Sequence, residues 1–155
     1  MKTLFFEDLS TGQSFTTQGR TITEADLTFF AMLSGDWHPM HSDAEFAKNT
    51  RFGERVVHGA FGIAMATGMM HTLGIFERSV IAMLDLRAWQ FNAPLRMGDT
   101  IRLTLTILSV EPGRSGKSGL VRRGFQLFNQ DNIVVQHGES DALVLTRKGE
   151  NDVSR

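Results

Sequence analysis

The sequence predicts an α+β fold in which an antiparallel β-sheet wraps around one long central α-helix. Three observations predict it. No charged residue occurs between His58 and Phe76. From Ile101 to Ile107, apolar and polar residues alternate. The patterns run in the order strand, short helices, long buried helix and four strands, which segregates helices from strands along the chain. With 155 residues, 41% of them hydrophobic, the chain has material for a single core. Residues 1–147 read as one domain and residues 148–155 as a polar, frayed tail.

Each element has its own signal. A first strand is expected at about 14–19. Thr23 and Asp26 resemble a capping box, and Leu27, Phe30, Ala31 and Ser34 follow at helical spacing, which predicts a helix over about 24–33. Gly35 can end that helix and Pro39 disfavours helical geometry at His38, so 35–41 is predicted to be a turn. Ser42 and Glu45 then fit the capping box of a short helix that should carry Phe46 and Ala47 inward.

The uncharged run at 58–76 is long enough to be tested as a membrane span. It fails on composition, because Gly59, Gly62, Gly68, Gly74, His58, His71, Thr67 and Thr72 leave it weakly hydrophobic. A helix near 59–73, enclosed by protein, is the expectation, and its small residues Gly62, Ala66 and Gly68 would let a sheet approach the axis. Beyond Ser79 the period changes to two. Strands are predicted near 80–91, 101–107, 120–128 and 133–145, with turns at 94–99, 112–118 and 129–132, the last short enough for a hairpin.

Composition removes several classes of function. Sixteen Lys and Arg against seventeen Asp and Glu leave a formal net charge of -1, so no basic field attracts nucleic acid. Cysteine is absent, which removes disulfides, thiolate nucleophiles and the usual structural zinc sites. The stretch from Met1 to Asp8 meets acids after two aromatic residues and has no apolar signal core, so a cytoplasmic location is expected.

The chemistry concentrates between Phe30 and Ala47. Asp36 and His41 sit on a Pro-stiffened junction between two capped helices, where a carboxylate and an imidazole can converge on one cleft and share a water. Caps alone would also place Asp and His at such a junction.

The stretch Ser34-Gly35-Asp36, Pro39, His41, Asp43 and Phe46-Ala47 resembles the hydratase motif of the MaoC-like family, the R-specific enoyl-CoA hydratases and related dehydratases. Val56-Val57-His58-Gly59 is similar to that family's entry to its central helix. Phe91-Asn92-Ala93-Pro94-Leu95-Arg96-Met97-Gly98-Asp99-Thr100 is similar to its Pro and Gly-Asp turn. The resemblance implies a hotdog fold, with the sheet as the bun around the helix. It also implies reversible addition of water to a trans-2-enoyl-CoA, giving an (R)-3-hydroxyacyl-CoA. Asp36 and His41 would bind and activate the water, and the N–H of Gly59 would stabilise the thioester oxyanion, as a donor at a helix N-terminus can.

One position departs from the motif: His38 stands where the family usually has Asn. His38 and His58 are therefore carried as substrate-side residues, each with the alternative of an ordinary turn or helix-end histidine. His71 and His137 share no spacing with Asp36 that suggests a metal site, and neither metal nor bound cofactor is expected; coenzyme A would enter as part of the substrate. Met65, Met69 and Met70 read first as core filler. Arg51, Arg55, Arg114, Lys117, Arg122 and Arg123 are cations available to phosphates, with none singled out. Because hotdog proteins generally pair, a homodimer or a multiple of it is expected. The competing readings are a hotdog thioesterase and a non-catalytic acyl-thioester binding subunit.

Overall fold

Long strands dominate the computed structural model, which describes residues 3–153. After a 3-10 turn at Phe6–Asp8, the elements are β1 (Ser14–Thr16), β2 (Arg20–Thr21), α1 (Glu24–Ser34), α2 (Pro39–Ser42), α3 (Ala44–Lys48), β3 (Val56–Val57) and α4 (Gly59–Thr72). Then follow β4 (Val80–Met83), β5 (Arg87–Phe91), β6 (Leu95–Arg96), β7 (Thr100–Pro112), β8 (Ser118–Phe128), β9 (Val134–Leu145) and α5 (Arg147–Val153). The main sheet is antiparallel, in the order β1-β7-β8-β9-β4, with β2 also on β7 and β5 also on β9. Its concave face holds α4, and this is the hotdog arrangement.

Alternation makes that face. Ile101, Leu103, Leu105 and Ile107 on β7 are 0% exposed, and Val121, Phe125 and Leu127 on β8 are 0–2% exposed. Each such side chain contributes roughly 1.5–3 kcal/mol relative to exposure. Against them α4 buries Phe61, Met65, Ala66 and Met69. Helix and sheet come close at Gly62, where an added Cβ would overlap the side-chain amide of Gln136. One cation shares this face: Arg123 is 0% exposed, bonded to the Ser140 hydroxyl at 3.0 Å and the Met70 thioether at 3.2 Å. Burial pushes its guanidinium down to about 10, and its enclosure removes it from the cations that could meet a phosphate.

Several expected boundaries move. The predicted turn at 35–41 gives way to α2, because Pro39 occupies the first helical position, where its missing N–H breaks no bond. The cap of α3 is Asp43 rather than Ser42. The Asp43 carboxylate accepts from the N–H groups of Glu45 and Phe46 at 2.9 and 3.0 Å, while the Ser42 hydroxyl donates back to the carbonyls of Trp37 and His38. Ala47 is buried as expected, but Phe46 points outward at 45% exposure.

The strand expected at 80–91 is broken into β4 and β5, with a bulge and a positive φ of 48° at Ala88. A two-residue ribbon, β3 with β6, is too short for periodicity to reveal. The frayed tail expected at 148–155 is instead helical through Val153, as part of α5, whose Gly149 is buried and lies too close to the Lys117 carbonyl for any Cβ. Among the described residues, no helix is long and apolar enough to cross a membrane.

Candidate active site

Three short segments build the site at the N-terminal end of α4. The first is the end of α1. Gly35 takes a left-handed φ of 74° and its N–H closes the helix on the Ala31 carbonyl, which turns the chain so that Asp36 projects away from α1. The Ser34 hydroxyl, itself donating to the Phe30 carbonyl at 2.7 Å, accepts the N–H of Asp36 at 3.2 Å. The carboxylate of Asp36 then accepts the main-chain N–H of His38 at 3.2 Å.

The second segment is α2, which carries His41. Its Nδ1 lies 2.7 Å from the carbonyl oxygen of Val56. A carbonyl can only accept, so Nδ1 carries the proton and, in the neutral ring, Nε2 keeps its lone pair. That Nε2 is 3.9 Å from Oδ2 of Asp36, too far for a direct hydrogen bond and a fitting gap for one water bonded to both. Burial pushes the His41 imidazole below its ordinary value of 6.5. The Val56 carbonyl and the Asp36 charge oppose that shift, while His58 and His38 add to it.

The third segment is the entry to α4. His58 is 2% exposed and stacks on His41 with ring centroids 3.9 Å apart. Its Nε2–H donates to the Asp36 carbonyl at 2.9 Å, while its Nδ1 is buried without a partner. His58 therefore supports both His41 and the Asp36 turn from behind. Gly59 opens the helix, and among the described residues no hydrogen bond engages its N–H. A Cβ on Gly59 would sit 2.9 Å from the ring of Phe91, so only glycine allows that ring to lie against the helix end.

His41 and Gly59 line one cavity of about 290 Å³, together with Arg51, Phe91, Leu95 and Gln136. Asp36 is not among the lining residues; its side chain is 51% exposed and reaches the cavity only through its 3.9 Å approach to His41. His38 lies outside: its ring accepts the N–H of Met40 at 3.1 Å and caps α2. Its link to Asp36 runs through the main chain, not through the ring. A larger cavity of about 700 Å³ lies between α1 and α4, lined by Phe29, Phe30, Leu33, Phe61 and Met65. Phe30, which lines the larger cavity, packs on His58 with ring centroids 5.1 Å apart.

The cluster also bears on metal binding, since one ligand atom each from Asp36, His41 and His58 lies within 4.8 Å of the others. The rings are stacked at 28°. Ligand bonds lie in the imidazole plane at roughly 2.0–2.1 Å, so nearly parallel rings direct their lone pairs side by side rather than at one ion. His71 and His137 stand elsewhere, the latter bonded to Asn92 at 2.8 Å. Of the cations noted in the sequence, Arg51 lines the small cavity, Arg55 pairs with Glu24 at 2.6 Å, and Arg122 pairs with Asp141 at 3.3 Å.

Sequence reasoning missed Gln136, Trp89 and Phe91 as parts of this site. The signal for Gln136 was a polar residue in an inward position of an apolar strand. For the two aromatic residues there was none, because a bulge set their direction.

Comparison with known proteins gives a consistent grouping. The family model described as "MaoC like domain" matches residues 7–126. Protein MaoC of Klebsiella aerogenes is 44% identical over 102 residues, which are 66% of this chain and 30% of that protein. The chain thus spans less than a third of that relative. The (R)-specific enoyl-CoA hydratase of Rhodospirillum rubrum is 32% identical over 108 residues, 70% of this chain and 72% of that one. An R-hydratase from Pseudomonas aeruginosa, solved unliganded, superposes with a TM-score of 0.79 at 28% identity, covering 94% of this chain and 88% of that one.

Proposed function

Because the chain belongs to the MaoC-like domain family, we propose that it is a hydro-lyase, a hydratase or dehydratase of acyl thioesters. The reaction is reversible addition of water to a trans-2-enoyl-CoA, giving the (R)-3-hydroxyacyl-CoA. One observation carries this reading: Nε2 of His41, which keeps its lone pair, and the carboxylate of Asp36 stand 3.9 Å apart, beside a cavity that His41 and Gly59 both line.

In the forward direction a water sits between the pair. One member takes its proton as the oxygen bonds to Cβ, and the π electrons move through Cα to the thioester oxygen. The N–H of Gly59, at the positive end of α4, receives that developing charge, and one such donor is typically worth about 3–4 kcal/mol. Return of a proton from the pair to Cα completes the addition, so the site ends as it began. No bound cofactor is called on, and coenzyme A belongs to the substrate. Arg51, at the rim of the cavity, offers a cation to its phosphates.

The reading extends to a cytoplasmic homodimer. On the edge strand β4 and just beyond it, Ile81, Met83 and Leu84 are 50, 47 and 54% exposed, an apolar edge that a second copy's edge would cover. Sedimentation at micromolar concentration is expected to give twice the chain mass or a multiple; a fully active monomer would contradict it.

The test of activity is a panel of short, medium and long enoyl-CoA esters, with loss of the conjugated double bond followed separately from release of free thiol. Loss of the double bond without thiol release is expected. Thiol release with the double bond intact would make the protein a thioesterase instead, and neither change with any ester would leave a binding subunit.

A further inference from the structure

Gln136, a buried polar side chain lining the small cavity, is left unexplained by the proposed chemistry. It stands on the inner face of β9, 1% exposed, opposite Leu127 on one side and Phe91 on the other. A buried primary amide is costly unless its groups are paired. Here the pairing has a direction. The indole Nε1–H of Trp89 donates to Oε1 of Gln136 at 3.0 Å, and Nε2–H of Gln136 donates to the main-chain carbonyl of Gly59 at 3.0 Å. An indole can only donate, so the amide orientation is fixed, with its nitrogen toward Gly59.

Two further features serve the same contact. Ala88 adopts φ 48° inside a bulge of β5, a conformation that costs a non-glycine residue energy and persists where its surroundings require it. It brings the next side chain, Trp89, over Gly138, where an added Cβ would overlap the indole. Likewise a side chain at position 62 would overlap the amide of Gln136. Strain at Ala88, and glycine at 62 and 138, all clear the path of one relay from Trp89 through Gln136 to Gly59.

We propose that Gln136 is a positioning residue for the oxyanion donor: by clamping the Gly59 carbonyl, it fixes the first turn of α4 and with it the direction of the unpaired N–H groups there. This inference rests on the hydratase reading. It concerns the step in which charge gathers on the thioester oxygen, where an error of about 1 Å in donor position can cost up to roughly hundredfold.

The test uses Gln136→Met and Gln136→Glu in the full chain, with turnover of an enoyl-CoA measured against pH. In Gln136→Met the clamp is absent, and kcat is expected to fall about tenfold or more with KM changed less than about threefold, because the lost alignment matters in the transition state. The Trp89 indole N–H, having lost its acceptor, should also exchange faster than in wild type. In Gln136→Glu a neutral carboxyl donates to the Gly59 carbonyl and accepts from Trp89, whereas the ionised form has no donor and repels that carbonyl.

Burial raises a carboxyl above its ordinary value. Activity of the Glu variant relative to wild type should therefore be near one at low pH and fall as pH rises through that titration. A ratio independent of pH, or a folded Met variant with wild-type kcat, overturns the inference. Should the Met variant fail to fold, the Glu profile decides. A wild-type protein inactive on every enoyl thioester would instead overturn the hydratase reading, and this inference with it.

Discussion

On the inner face of β7 and β8, side chains such as Leu103, Leu105 and Leu127 are 0% exposed and packed against carbon. In the junction from Ser34 to Gly59, the site's side chains are held mostly by main-chain groups: Asp36 by the N–H of His38, His41 by the Val56 carbonyl, and His58 by the Asp36 carbonyl. The first region is redundant, since any apolar group of suitable volume fills it approximately. The second is specific, since each bond has one partner and one direction. Stability and chemistry thus reside in separate regions, and substitutions should separate them.

The largest effect should come from the sheet. Leu103→Ala removes a fully buried side chain from the middle of β7 and is expected to destabilise the protein by about 3 kcal/mol. Chemical denaturation would measure it. The folded fraction should retain near-normal turnover, and a large loss of turnover per folded molecule would show that the two regions are not separable.

Nearly as large, in the other currency, is the loss of the pair. Asp36→Asn and His41→Ala should each lower turnover at least roughly hundredfold, about 2.7 kcal/mol of activation free energy. The denaturation midpoint of Asp36→Asn should stay close to wild type, because Asp36 is half-exposed; His41→Ala also gives up the stack on His58 and the bond to Val56, so its turnover is read per folded molecule. Near-normal hydration by either folded variant would remove the mechanism.

The same contrast explains what was legible in the sequence. Ile101 to Ile107 alternate because one side of the strand is buried, and burial acts on every residue, so the pattern repeats and can be read. Gly59 was indicated only by the resemblance to the family, whereas Asp36 and His41 were legible as a carboxylate and an imidazole on a punctuated junction. The roles of their supports were not. His58 reads from sequence as a substrate-side residue or as a helix-end histidine bonded to the backbone, and it has such a bond, to the Asp36 carbonyl; yet nothing local signals that its ring stacks behind His41. Trp89 and Phe91 were read as strand residues, and only the bulge at Ala88 aims one at Gln136 and lays the other against Gly59. Long-range, directional contacts leave no period behind.

A smaller effect, graded with pH, follows from the position of His41. Its folded value lies below the ordinary 6.5 because burial disfavours the charged ring. If His41 is the member of the proposed pair that takes the water's proton, the lone pair it needs is lost when the ring protonates. kcat/KM should hold through neutral pH and fall, by up to about tenfold per unit, as pH drops through that lowered value. Stability follows the same sign. A group depressed on folding binds fewer protons in the native state, so its contribution is full above 6.5 and is lost as pH falls through the folded value. A pH-rate limb centred at or above 6.5 would show that the acid limb belongs to another group.

The smallest effect tests the junction where the chain departs from the family motif. An orienting role for the ring of His38 would make His38→Ala nearly as damaging as Asp36→Asn. The geometry argues otherwise: the ring caps α2 on the N–H of Met40, and the bond to Asp36 comes from the main-chain N–H of residue 38, which survives any substitution except proline. His38→Asn should keep both contacts, because Asn is a good N-cap whose side-chain oxygen can take over from the ring. Its turnover should match wild type within about twofold. His38→Ala gives up the cap, loosening the single turn that carries His41, and should cost no more than about fivefold, with the shape of the pH profile unchanged. A profile that changes shape beyond the small upward move of the His41 limb that loss of the neighbouring His38 charge itself brings, or a loss approaching that of Asp36→Asn, would return His38 to the chemistry and place the specificity of this junction in the ring rather than in the backbone.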